Sequence, residues 1–155
     1  YFGDSVTLSN FKVRDQQGKF AEGMDDLKQL LHARIVPELL DEDATERLIE
    51  VSGGIPRILL QLAKDAALEA DIDEAEQVTL EHVRAALKRE RRNFQRMLNR
   101  EQLGRLKEIK RDKTIDQTPE YQVLLHNLSV LEYTDGVEEA DVWYDINPLV
   151  DDLLP

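Results

Sequence analysis

Glu50-Val51-Ser52-Gly53-Gly54-Ile55-Pro56-Arg57 is the stretch on which the reading of this chain turns. Two adjacent glycines suit the end of one helix, because glycine reaches positive φ without a Cβ clash. Pro56 suits the first turn of the next, where its missing N–H would find no helical partner anyway. Arg57 then falls in that first turn. A side-chain-free backbone, a positive helix end and a guanidinium can all face one anion, and a phosphate fits that arrangement. The plainer reading is a helix break with Arg57 as a surface ion-pair partner.

Apolar spacing organises the chain on either side. Met24, Leu27, Leu30, Leu31 and Ile35 recur at steps of three and four, which predicts a helix from about Gly23 to a boundary at Pro37. Asp43 is the expected N-cap of a helix carrying Leu48, Ile49 and Val51. Beyond Arg57, the positions of Ile58, Leu59, Leu62 and Ala66 predict a largely buried helix, with the acidic stretch 71–76 as a solvated loop after it. Thr79 is the next cap, although His82 stands where a capping box prefers glutamate. Its helix carries Leu80, Val83, Ala86 and Leu87 and is expected to run on through Phe94, Met97 and Leu98. A further helix carries Leu103, Leu106 and Ile109.

The two ends differ in kind. Val6 with Leu8 and Phe11 with Val13 alternate ahead of a turn signal at 15–18, so residues 1–22 read as an extended lead-in. In the last third, Pro119 opens a helix with Tyr121, Leu124, Leu125 and Leu128. Runs at 129–134 and 141–146, rich in Val, Tyr and Trp, flank Asp135-Gly136 and predict a hairpin. Pro148 starts a closing helix. The expected architecture is mainly α: the lead-in at 1–22, a helical lid-like bundle at 23–100, and a winged-helix-like module with a C-terminal β-hairpin at 101–155.

Composition narrows the function. With 41% hydrophobic and 34% charged residues, the 155-residue chain has the balance of a soluble globular protein. No apolar run approaches the roughly 20 residues that span a bilayer. The absence of cysteine excludes disulfides, cysteine zinc sites and thiol catalysis, and agrees with a cytoplasmic location. The opening Tyr1-Phe2-Gly3, without Met, reads as part of a longer chain. A net charge of −12 argues against a surface wholly devoted to nucleic acid. That charge is segregated: residues 81–100 hold seven basic and two acidic side chains, whereas 41–80 hold three basic and eleven acidic.

The run 50–57, followed by Ile58, Leu59, Leu62 and Ala63, resembles the sensor-2 region of AAA+ ATPases. The later run 78–87, Val-Thr-Leu-Glu-His-Val-Arg-Ala-Ala-Leu, is similar to the next lid helix of the origin-recognition-like and related signal-transduction (STAND-type) branches of these P-loop ATPases. The resemblance covers about residues 23–90, and in those branches a winged helix often follows the lid. It implies that Arg57 reaches the terminal phosphates of ATP, with Gly54, Ile55 and Pro56 lining the nucleotide edge. It also implies that the nucleotide-binding core of the same parent chain is a partner. The chain departs from the family in one large respect. It has no Gly-x-x-x-x-Gly-Lys-Ser/Thr loop and no strand ending in paired acids, so the groups that hold ATP and Mg²⁺ are missing. The expectation is a non-catalytic regulatory piece with no cofactor of its own, ATP and Mg²⁺ belonging to the parent protein, and a protein partner for the terminal module.

The rival expectation is a nucleic-acid-binding module. Arg89, Arg92, Arg96 and Arg100, within the basic stretch 84–111, would share one face of a continuous helix and track phosphates. The acids Glu132, Asp135, Glu138, Glu139 and Asp141 around the hairpin weigh against DNA. His32, His82 and His126 stand singly and suggest no metal site.

Overall fold

A computed structural model of the chain describes residues 10–135 and 142–154. Periodicity is converted into helices in the expected order: α1 (Gly23–His32), a 3₁₀ turn at Pro37–Leu39, α2 (Glu42–Val51), α3 (Pro56–Ile72), α4 (Leu80–Met97), α5 (Arg100–Asp112) and α6 (Pro119–His126). The antiparallel strands β1 (Val130–Thr134) and β2 (Val142–Ile146) and the short α7 (Pro148–Asp151) follow. The fold is thus mainly helical, a bundle followed by a two-stranded hairpin. Val6 and Leu8, and the hairpin turn with Glu138, Glu139 and Asp141, lie outside the described residues.

One core joins these elements. Leu27 and Leu31 of α1, Leu48 and Ile49 of α2, and Leu59 and Leu62 of α3 are sealed from solvent. Val83 and Leu87 of α4, Leu106 and Ile109 of α5, and Leu124 of α6 are equally buried and belong to the same cluster. Burying each such side chain is worth about 1.5–3 kcal/mol relative to exposure, so the apolar stripes explain why the bundle closes. The hairpin pairs Tyr133 with Trp143 across the strands, and their rings stack with centroids 4.6 Å apart. A smaller cluster of Leu131, Tyr133 and Trp143 packs against Ile55 and Leu128.

Several boundaries differ from expectation. Asp41, not Asp43, flanks α2; Asp43 lies in its first turn, and the Asp41 carbonyl accepts from Thr45 N–H at 2.9 Å and from Thr45 Oγ1 at 3.0 Å. The first residues of the acidic stretch form the last turn of α3, which closes through Glu74 at φ 52 and a bond from Ala75 N–H to the Ala70 carbonyl. Leu128 falls beyond α6 in the left-handed region, φ 61.

At α4 the histidine replaces the expected glutamate. The Nδ1 of His82 accepts from Thr79 N–H at 2.9 Å, and its Nε2 lies 3.5 Å from Asp73 Oδ2, tying the end of α3 to the start of α4. His82 is buried. A continuous helix through Arg100 is not formed. Leu98 turns extended (φ −93, ψ 129) and Asn99 caps a new helix, its Oδ1 accepting from Gln102 N–H while Gln102 Oε1 accepts from Asn99 N–H. The capping box formed by Asn99 and Gln102 outweighs continued helical spacing, and Arg100 therefore stands on α5, apart from Arg89, Arg92 and Arg96 on α4.

Candidate functional site

The segment from Ser52 to Arg57 is a crossroads of three parts of the chain. Gly53 and Gly54 take φ of 61° and 82°, the left-handed values that end α2. Gly54 is also forced to be glycine by what touches it, since a Cβ there would lie 1.7 Å from the backbone carbonyl oxygen of Phe11; a Cβ on Gly53 would lie 2.3 Å from Leu131 Cδ1, the tip of a side chain. The lead-in crosses over Gly54, whose carbonyl accepts from Phe11 N–H at 3.0 Å. The hairpin reaches Gly53, whose carbonyl accepts from the Tyr133 hydroxyl at 2.7 Å. Burial, with the charge of Asp145 nearby, raises the Tyr133 pKa well beyond its ordinary value and keeps the hydroxyl a donor.

Backbone donors at this break are already committed. Gly53 N–H bonds to the Glu50 carbonyl at 3.3 Å, Gly54 N–H to Ser52 Oγ at 3.2 Å, and Ile55 N–H to the Ser52 carbonyl at 3.2 Å. Pro56 has none to offer. Of the four residues expected at a nucleotide edge, Gly54 is therefore buried beneath the lead-in, Ile55 packs against the hairpin cluster, and Pro56 is half-buried at the start of α3. Arg57 alone is exposed.

Its surroundings are distinctive. Arg57 lines a cleft of about 340 Å³ with Ile58, Leu62, Phe94, Leu128 and Leu149, where α3, α4, the turn after α6 and α7 meet. Among the described residues no ion pair to Arg57 forms, although Glu90 lines the same cleft. The first turn of α3 holds no acidic residue. A cation there stands against the positive end of the helix dipole, a position that costs about 0.3–1 kcal/mol and that an arriving anion would relieve.

Beside the break lies a charge network that sequence reasoning missed. Glu50 accepts from Arg14 Nη2 and, at 2.8 Å, from Arg47 Nη1, while the Arg14 guanidinium also lies 4.2 Å from the centre of the Phe20 ring. Asn10 Nδ2 donates to the Glu132 carbonyl at 3.1 Å, and Lys12 pairs with Asp135 at 2.9 Å. The lead-in thus clasps both α2 and the hairpin. Burial pushes the Glu50 carboxyl up, but the two guanidinium groups outweigh it and hold its pKa below the ordinary glutamate value. A carboxyl whose folded pKa is depressed stabilises the fold above its unfolded value of about 4.3, and that stabilisation fades as pH falls through the lowered folded value. Urea titrations across that window are expected to show stability declining with acidification. In Glu50→Gln the slope should be shallower there, and an unchanged slope would rule out this role for Glu50.

The basic residues of the rival reading are dispersed and partly neutralised. Arg89 pairs with Glu69 at 2.5 Å, Arg105 with Glu101 at 2.9 Å, and Arg111 with Asp112 at 2.6 Å; Arg91 pairs with Asp152 and Lys110 with Asp151. Arg92 Nε donates to the Lys88 carbonyl at 3.2 Å, and Arg96 and Arg100 are exposed on separate helices. Among the described residues, no three His, Asp or Glu side chains gather as metal ligands, and no helix is long and apolar enough to cross a membrane. Comparison with family models, with curated proteins and with solved structures finds no match to this chain.

Proposed function

We propose that the chain is a non-catalytic regulatory piece of a nucleotide-dependent switch protein of the AAA+ type. In this reading the helical bundle acts as a lid and Arg57 contacts the terminal phosphates of ATP bound by a core elsewhere in the parent chain. The observation that carries it is the exposed guanidinium of Arg57 in the first turn of α3, set against the helix dipole with no acidic residue in that turn. The geometry around it supports a lever. Gly53 and Gly54, at the foot of the same helix, are bonded to the hairpin and to the lead-in, so a pull on Arg57 would be felt by both. The terminal module, read as winged-helix-like, would pass that movement to a protein partner.

Two measurements test the reading. The coding sequence upstream of Tyr1 should encode a Gly-x-x-x-x-Gly-Lys-Ser/Thr loop. In the whole protein, Arg57→Ala should cut ATP turnover by about tenfold or more at saturating ATP with the fold intact, as expected for loss of a charged contact to the reacting phosphates. Unchanged turnover in Arg57→Ala, or clear phosphate release by the 155-residue chain alone, would remove the proposal.

A further inference from the structure

A second surface departs from the acidic character of the whole. Between α4, α2 and α7 runs an open groove of about 800 Å³ in which Arg47, Arg84, Lys88, Arg91 and Arg92 converge, with Asp152 the one acid on its lining. In a chain of net charge −12 this lining is unusually basic; Arg47 is held by Glu50 and Arg91 by Asp152, which leaves Arg84, Lys88 and Arg92 as its uncompensated cations. Arg84, Lys88 and Arg92 are exposed there, and among the described residues none of the three enters an ion pair. Arg91 reaches Asp152 through Nη2, yet its buried Nε finds no acceptor. The spacing 84, 88, 91, 92 keeps these side chains along one side of α4, with Arg47 supplied by α2.

The groove is not uniformly polar. Leu80, Leu87 and Leu153 also line it, Leu80 and Leu153 half-buried and Leu87 buried. That combination discriminates among polyanions. A phosphodiester backbone has no use for leucines, and the lining offers no aromatic ring on which a base could stack. An acidic peptide bearing leucines at helical spacing matches both features: its carboxylates meet Arg84, Lys88 and Arg92, and its apolar side chains meet Leu80 and Leu153.

We infer that this groove docks an acidic, leucine-bearing segment of a protein partner. The inference does not depend on the nucleotide reading of Arg57, because none of the groove residues lines the Arg57 cleft.

Fluorescence anisotropy at low salt tests it with three labelled probes. The first is a roughly twelve-residue peptide with leucines at i, i+3, i+4 and i+7 and aspartates or glutamates elsewhere; the second is a charge-matched glutamate–glycine peptide; the third is a DNA duplex. The leucine-bearing probe should bind about tenfold tighter than either of the others, and weaken as salt rises. The double variant Arg84→Glu/Lys88→Glu should weaken it by about tenfold or more, whereas Arg34→Glu/Lys64→Glu, outside the groove, should not. Near-UV circular dichroism verifies that each variant is folded, and Leu153→Gln should weaken the leucine-bearing probe alone. The inference is overturned by absence of binding, by equal or tighter binding of the glutamate–glycine peptide or the duplex, or by indifference to the groove variants. It is overturned equally if sedimentation shows that the chain's own acidic surface fills the groove through self-association that the Arg84→Glu/Lys88→Glu variant abolishes.

Discussion

Gly54→Ala is expected to lower the unfolding free energy by about 3 kcal/mol or more and to free the lead-in from the bundle. Two costs combine. An alanine at φ 82 is strained by about 1–2 kcal/mol wherever it occurs, because its Cβ crowds the neighbouring backbone. The second cost is particular to this fold: the new methyl would stand 1.7 Å from the Phe11 carbonyl oxygen and 2.8 Å from the carbonyl carbon. Backbone atoms cannot rotate away as a side chain can, so residues 10–14 must lift. Lifting them gives up the Phe11-to-Gly54 bond, the burial of Val13 and the Arg14–Glu50 pair. Urea unfolding followed by far-UV circular dichroism measures the loss. Trypsin reports the release, since Lys12, Arg14 and Lys19 lie on the lead-in. Gly104→Ala is the control. That site is inside α5 with nothing within 4 Å of a Cβ, so the change should stabilise by about 0.5–1 kcal/mol. Wild-type stability and wild-type trypsin resistance in Gly54→Ala would contradict the described crossing.

Trp143→Ala should cost about 3–5 kcal/mol, the range for removing a large aromatic from a packed site. Trp143 is 4% exposed and stacks on Tyr133, which in turn bonds to Gly53. With Leu131 it covers Ile55, the residue that leads into α3. Removing the indole therefore opens a cavity between the hairpin and the foot of α3, not at a distant edge. The helical signal at 222 nm is expected to be lost in a single transition at lower urea concentration. A variant that kept its helical transition unchanged would show that hairpin and bundle are energetically separate. In the wild-type chain, Trp143 is the sole tryptophan, so its fluorescence and the helical signal should change together.

Much of this fold was legible because the signals are local. Leu27 and Leu31, Leu59 and Leu62, and Val83 and Leu87 stand at three- or four-residue steps, and each pair became one buried helix face. Pro56, Pro119 and Pro148 each begin a helix where the missing N–H is harmless. The errors arose where two local signals competed. Asp43 was read as the cap of α2, but backbone pairing of Asp41 N–H with the Val78 carbonyl fixes the chain just ahead of the helix and places Asp41 at its head. Asn99 interrupted a pattern that helical spacing alone would have continued. His82 was readable as an imperfect cap, but its reach to Asp73 was not.

By itself, then, the order of residues determined that the chain is a helical bundle ending in a hairpin, that α2 and α3 are parted by two glycines, and that an arginine stands in the first turn after them. Those features depend on spacing within one or two helical turns. Tertiary structure alone decided that Phe11 would cross Gly54, that Tyr133 would bond to Gly53 from 80 positions away, and that Arg47 would join the arginines of α4 in one groove. Such meetings leave no local mark, because each is set by how whole helices pack and by the many residues that close the intervening loops.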